Sequence, residues 1–218
     1  MILWDGCVTW DRNEKCCQAV EVPCGTRMNY LGHLFLSGDD PLVIVGNFMA
    51  DAVKGGRLDR FPAQVVKGIR LHRAIDSFTD THPAQRAGRE RVRAHAGRYS
   101  GVVMDLFFDY LLAEQWSRLH ATPLPEFASR MYTLLNANKD SMDERTRQML
   151  HYMAKGDWLT GYARLDGIGQ ALAGLARRVP EGHVMVGAET VLAEHIADYR
   201  EEFMGFIADI AVHTAPMR

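Results

Sequence analysis

From Met28 almost to the C-terminus, apolar side chains recur at helical spacing. Nowhere does a run of alternating Val, Ile and Thr between turn signals mark a strand. A chain patterned this way buries its apolar stripes by packing helix on helix. The helical segments read as residues 29–36, 42–54, 62–81, 84–97, 101–120, 124–137, 143–155, 158–178 and 183–212. Asp39, Asp40 and Pro41 mark a turn and a helix entry, and Gly55-Gly56 a stop. Pro62 sits where a first helical turn tolerates it, and His82-Pro83 closes the helix that follows. Connections are short, and no internal repeat, low-complexity tract or interdomain linker appears. The expectation is an all-α, single-domain helical bundle over residues 28–218.

With 218 residues, 47% hydrophobic and 24% charged, the chain has an ordinary globular composition and enough length for one well-filled core. A net charge of -2 gives the whole protein no pull toward nucleic acid. No apolar run approaches the ~20 residues that span a bilayer, so no membrane association is expected. Asp5 and Asp11 interrupt the place where a signal peptide would carry its apolar region, and no basic stretch precedes it. A cytoplasmic location follows as the expectation. Cys7, Cys16, Cys17 and Cys24 all precede residue 25 and form no Cys-x-x-Cys pair. That pattern excludes a disulfide framework for the main fold and argues against a zinc knot. Residues 1–27 read as an N-terminal extension outside the domain, poorly ordered or not native.

The chemistry concentrates on polar groups in apolar surroundings. In the segment 62–81, His72 and Asp76 are four residues apart and share a helix face, with Asp80 one turn further. Val65, Ile69 and Ile75 lie on or beside that stripe. The segment 101–120 repeats the device with Asp105 and Asp109, set among Met104, Leu106, Phe107, Phe108, Leu111 and Leu112. Asp51 lies within IVGNFMADAV and His33 within YLGHLFL. Burying carboxylates costs several kcal/mol each unless they are paired or bind a cation. A site fed by several bundle helices is a common way to build a metal centre. Imidazole with carboxylate and no thiolate suits Mn²⁺ or Mg²⁺, with Zn²⁺ or Fe as further possibilities. Each residue also has a plain structural reading. His33 is a satisfied core histidine, Asp80 a cap for the turn at Thr81-His82-Pro83, and Asp105 or Asp109 a partner for an arginine.

Four segments carry a family resemblance. They are MNYLGHLFLS at 28–37, GNFMADAVKG at 46–55, GIRLHRAIDSFTDTHP at 68–83 and DLFFDYLLAEQW at 105–116. In this order and at these separations they resemble the acyl carrier protein phosphodiesterases, or holo-acyl-carrier-protein hydrolases. The likeness runs from Met28 to about residue 205 and weakens after residue 120. That family looks like a divergent branch of the helical HD-type metal phosphohydrolases, so the resemblance implies an HD-like bundle. It also implies Mn²⁺-dependent cleavage of the phosphodiester between 4′-phosphopantetheine and a serine of acyl carrier protein. By position it carries over His33, Asp51, His72, Asp76 and Asp109 as site candidates. The His-Asp doublet of HD enzymes is absent, because Arg73 follows His72.

The expected metal ligands are therefore His33, His72, Asp76, Asp105 and Asp109. Asp51, Asp76 and Asp80 are the candidates for proton transfer or water orientation. Arg73 is read either as a bidentate grip on phosphate oxygens or as a surface salt bridge. Residues 84–98, AQRAGRERVRAHAGR, carry Arg86, Arg89, Arg91, Arg93 and Arg98 against Glu90. They read as a solvated face, or as a docking surface for the acidic carrier through Arg86, Arg89 and Arg93. Two rivals stay open: an HD-type phosphohydrolase of nucleotides or other small phosphoesters, and a non-enzymatic helical binding module.

Overall fold

The computed structural model describes residues 30–218, and the extension read from residues 1–27 lies outside them. Among the described residues the chain is all-α: twelve α-helices, five short 3-10 turns and no strand. α1 (Tyr30–Phe35) and α2 (Pro41–Met49) lead into a 3-10 turn at Ala50–Ala52, followed by α3 (Ala63–Thr81) and α4 (Pro83–Ala96). Next come α5 (Ser100–Glu114), α6 (Trp116–Leu119), α7 (Leu124–Ala137) and α8 (Glu144–Lys155). The remaining helices are α9 (Trp158–Gly161), α10 (Leu165–Ala176), α11 (Glu189–Glu194) and α12 (Ile196–Thr214).

α5 is the centre of the bundle. Every residue from Val103 to Ala113 is buried, on all sides of the helix rather than on one stripe. A helix apolar all round must be surrounded, and α1, α4, α10 and α12 pack against it. Phe107 meets Tyr199 edge-on, and Phe108 packs against Phe203 and Phe206 of α12.

α2 and α3 cross so closely that their backbones touch. A Cβ on Gly46 would lie 2.9 Å from Val65 Cα. One on Gly68 would lie 2.7 Å from the Asn47 amide nitrogen and nearer still to the Val43 carbonyl oxygen. Glycine at both positions allows this approach, and it brings the side chains of the next turns face to face. Asp40 fixes the entry to α2, accepting from the Leu42 and Val43 amides at 2.9 and 3.3 Å, with Pro41 at the first helical position. At the α3–α4 corner the capping atom is His82 Nδ1, which accepts from the Ala84 amide at 3.2 Å.

Three of the long segments expected from periodicity are broken. The segment 101–120 is interrupted at Gln115, and 158–178 turns a corner between α9 and α10. There Arg164 is extended, and Gly167 packs directly on the Gly161 backbone. The segment 183–212 breaks at Gly187, with φ of 86°, and again at His195. Among the described residues, no helix is long and apolar enough to cross a membrane.

Candidate metal centre

Three short-range pieces of chain build the site. α1 supplies His33, which is 4% exposed. A six-residue helix has little stability of its own, and a carboxylate from the bundle centre pins this one. Asp109 of α5 accepts from the Leu31 amide at 3.1 Å and from the Gly32 amide at 2.8 Å. It thus satisfies two of the orphan donors in the first turn of α1. Burial raises the Asp109 carboxyl well above the ordinary carboxylate range, against the pull of those two amides, with Asp105 adding to the rise.

α3 supplies His72 and, one turn later, Asp76. The two imidazoles stack, with ring centroids 4.0 Å apart and planes 18° from parallel. Their Nε2 atoms converge on one carboxylate: His33 Nε2 lies 3.4 Å from Asp76 Oδ1, and His72 Nε2 lies 3.4 Å from Asp76 Oδ2. Asp51, in the 3-10 turn after α2, places Oδ1 3.2 Å from His72 Nε2. Behind the rings sits Asn47 of α2, with 0% exposure. Its Oδ1 lies 2.8 Å from His33 Nδ1 and 3.1 Å from His72 Nδ1.

The surroundings shift the two rings in opposite directions. Burial, reinforced by the neighbouring His72, pushes His33 below its ordinary pKa. Burial pulls His72 down too, but the hydrogen bond and charge of Asp51 and the charge of Asp76 outweigh it and leave His72 raised.

His33, His72 and Asp76 each turn one ligand atom inward, all within 4.8 Å of one another. Ligand atoms around one ion at bond lengths of about 2.0–2.2 Å stand roughly 3.0–3.5 Å apart, and each imidazole lies 3.4 Å from one of the two Asp76 oxygens. His33 Nε2 is also buried without a hydrogen-bond partner, an arrangement that proteins rarely leave uncompensated. Two nitrogens and carboxylate oxygen, with no thiolate, fit a divalent cation of hard or borderline character.

The other predicted residues lie around this group. Asp51 joins it at its exposed side. Asp80 lies one turn beyond Asp76 on α3, half-buried. Asp105 is buried and accepts from Gln85 Nε2 at 3.3 Å. Asp109 sits at the start of α1 rather than among the converging Nε2 atoms. Arg73 turns Nη2 to the Val53 and Gly55 carbonyls, at 3.2 and 3.0 Å, and so ties down the loop that follows Asp51. On α4, Arg86 donates to the Thr81 carbonyl, Arg93 pairs with Glu90 at 3.2 Å, and Arg89 lies against Gly101. Arg91 instead clamps Glu202 through both guanidinium nitrogens and stacks on Tyr199. Sequence reasoning missed Asn47. Its one signal is spacing, because Asn47 and Asp51 are four apart as His72 and Asp76 are.

All of these groups fall within the reach of one family match. The family model described as acyl carrier protein phosphodiesterase fits residues 28–210. The chain belongs to the acyl carrier protein phosphodiesterase family. It is 32% identical over 180 residues to the acyl carrier protein phosphodiesterase of Photorhabdus laumondii, covering 82% of this chain and 91% of that one. Against its counterpart from Yersinia pestis it is 29% identical, covering 82% of this chain and 93% of that one. The Escherichia coli O157:H7 protein of the same description is 32% identical, with coverage of 82% and 93%. No solved structure matches. Within the family resemblance, the site lies in three of the four quoted segments, and the fourth contributes the Asp109 pin.

Proposed function

We propose that this member of the family hydrolyses the phosphodiester joining 4′-phosphopantetheine to the serine of holo-acyl carrier protein, releasing apo-carrier. The observation that carries this reading is the convergence of His33 Nε2, His72 Nε2 and the Asp76 carboxylate within a chain of that family. In this reading His33, His72 and Asp76 hold a divalent cation, Mn²⁺ first and Mg²⁺ second. A cation held there would supply Lewis acidity toward a phosphoryl oxygen and toward a water molecule.

The protein's own groups manage position and protons. Hydrolysis adds a water oxygen to phosphorus and breaks the bond to the serine oxygen. One proton must leave the water, and one must reach the departing serine. Asp51 suits this traffic: its side chain is 37% exposed while Oδ1 touches His72 Nε2. Asp76 faces both rings, and Asp80 lies a full turn further along α3, so they rank behind Asp51. Arg73 uses Nη2 on loop carbonyls, which leaves its other N–H groups for a phosphate oxygen. Arg86, Arg89 and Arg93 on α4 offer positive charge to an acidic carrier. A carrier-protein substrate implies a cytoplasmic site of action.

The test is to incubate the purified protein with holo-carrier, with and without Mn²⁺, and to follow the carrier's mass. Metal-dependent loss of the phosphopantetheine mass is expected, and it should be absent in Asp51→Asn and His72→Ala. Turnover of small phosphodiesters at rates matching the carrier would instead favour a small-molecule phosphohydrolase. Unchanged kcat/KM and salt dependence in a double Arg89→Glu, Arg93→Glu variant would remove the docking role.

A further inference from the structure

We infer that the basic rim on the open side of the metal centre, carried by Lys54, Arg57, Arg60 and Arg70, is the surface on which an acidic carrier protein docks. The inference rests on the carrier reading above and adds where the carrier must sit. In that substrate the phosphorus is one oxygen atom away from the serine Cβ. The carrier therefore cannot reach the site at the end of a long arm. Its own surface has to come up to the groups that act on phosphorus.

The site is most open at Asp51. His33 and His72 are 4% and 5% exposed, and the side chain of Asp76 is 15% exposed against 37% for Asp51. The loop that follows Asp51 is anchored by buried Val53 and by Leu58 and Phe61, which pack against the core. With those three turned inward, Lys54, Arg57 and Arg60 stand exposed. Arg73 ties the loop to α3 through the Val53 and Gly55 carbonyls. Arg70 is exposed one turn before Arg73 on the same helix face. A methyl group added to Gly55 or Gly56 would meet nothing within 4 Å, so the crest of the loop lies open to an approaching backbone.

The charge of this rim is lopsided. From Val53 to Arg73 the basic residues are Lys54, Arg57, Arg60, Lys67, Arg70 and Arg73, and Asp59 is the single acidic one, in a chain whose 25 basic residues are outnumbered by 27 acidic ones. Among the described residues Lys54, Arg57 and Arg70 make no ion pair or side-chain hydrogen bond. On α4, by contrast, Arg86 is spent on the Thr81 carbonyl, Arg91 on Glu202 and Arg93 on Glu90. Unpaired like charges gathered at a mouth steer and hold an anionic partner. Phe61 is the one aromatic residue of the segment and is covered by the Arg60 guanidinium at 4.7 Å. The rim thus lacks a stacking platform for bases, which favours an acidic protein over a nucleic acid.

Fluorescently labelled holo-carrier titrated onto the metal-free full chain reads binding without turnover, and steady-state kinetics with Mn²⁺ follow. Arg57→Glu combined with Arg70→Glu should raise Kd and KM about 10-fold or more, with the loss in KM rather than in kcat. The salt dependence of binding should flatten, and the Mn²⁺-induced rise in Tm should stay. Arg57→Gln with Arg70→Gln, which removes the charges without reversing them, should give a smaller loss in the same direction. Unchanged Kd and salt dependence in both pairs would overturn the inference, as would a larger loss in Arg89→Glu with Arg93→Glu. A short oligonucleotide bound more tightly than the carrier through Arg57 and Arg70 would also overturn it. A wild type that hydrolyses holo-carrier while both rim pairs bind normally sinks the rim alone. A wild type that neither binds nor hydrolyses the carrier sinks the carrier reading itself.

Discussion

Replacing Gly68 with alanine tests how the site is held. By helix propensity alone, Gly→Ala in mid-helix stabilises by about 1 kcal/mol. Here the added methyl would sit 2.7 Å from the Asn47 amide nitrogen and closer to the Val43 carbonyl. Carbon needs about 3.5 Å, so α2 and α3 must part by about 1 Å. Overpacking of this kind costs roughly 1–3 kcal/mol, which cancels the propensity gain and leaves a net loss of up to about 2 kcal/mol, a Tm fall of up to roughly 8 °C for a domain of this size. His72 is one turn from Gly68, and its 3.1 Å bond to Asn47 would stretch to about 4 Å, beyond hydrogen-bonding range. A displacement of ~1 Å in a catalytic group costs on the order of 10²-fold in rate. Gly205 on α12 is the control. It is exposed, and a methyl group added there would meet nothing within 4 Å, so Gly205→Ala should be neutral or mildly stabilising. Denaturant unfolding and Mn²⁺ calorimetry on both variants decide the matter. A Gly68→Ala protein as stable as the wild type, with unchanged Mn²⁺ affinity, would refute the close-crossing argument.

Mn²⁺ at 100 times its Kd should stabilise the wild type by about 2.7 kcal/mol, a Tm rise of roughly 5–10 °C by scanning fluorimetry. His33→Ala and Asp76→Ala should lose that rise, and an equal shift in them would place the ion elsewhere. The raised pKa of His72 means that protons compete for its Nε2. Protonation of His72 stabilises the metal-free fold fully below the ordinary histidine pKa, and that contribution is lost as pH rises through the raised value. Metal affinity should run the other way, strengthening over the same interval, and calorimetry from about pH 6 to about pH 8 showing flat affinity would contradict it. Asp109→Ala removes both side-chain acceptors at the start of α1. A loss of roughly 1–3 kcal/mol is expected in urea unfolding, together with weaker Mn²⁺ binding, because His33 rides on that helix. Since burial raises the Asp109 pKa, wild-type stability should also decline as pH climbs from the ordinary carboxylate range toward the raised value, a slope missing in Asp109→Asn.

The helical class was legible because period alone carries it, and α3 falls at Ala63–Thr81 against the 62–81 that periodicity marks. What period does not carry is a corner made by packing. Gly167 against the Gly161 backbone, and Gly187 at positive φ, split segments whose apolar pattern runs straight through. His72 and Asp76 could be paired from spacing, since both lie on one helix. His33 and Asp51 required the family resemblance, because nothing local says which helices meet. Asp109 was recognisable as a carboxylate in need of a partner. That partner is the backbone of α1, and amide groups leave no trace in a side-chain pattern. Asn47 carries no charge and binds through both ends of one amide, so its importance emerges only when two other helices are in place.

The pinning of α1 also bears on how the chain is assembled. Asn47 reaches His33 across 14 residues, whereas Asp109 reaches the start of the same helix across 77 and 78. Closing the longer loop costs about 1.5 kcal/mol more chain entropy. The imidazole pair can therefore be gathered by contacts near in sequence, before α5 is made. α1 itself is secured only once α5 has been made and buried.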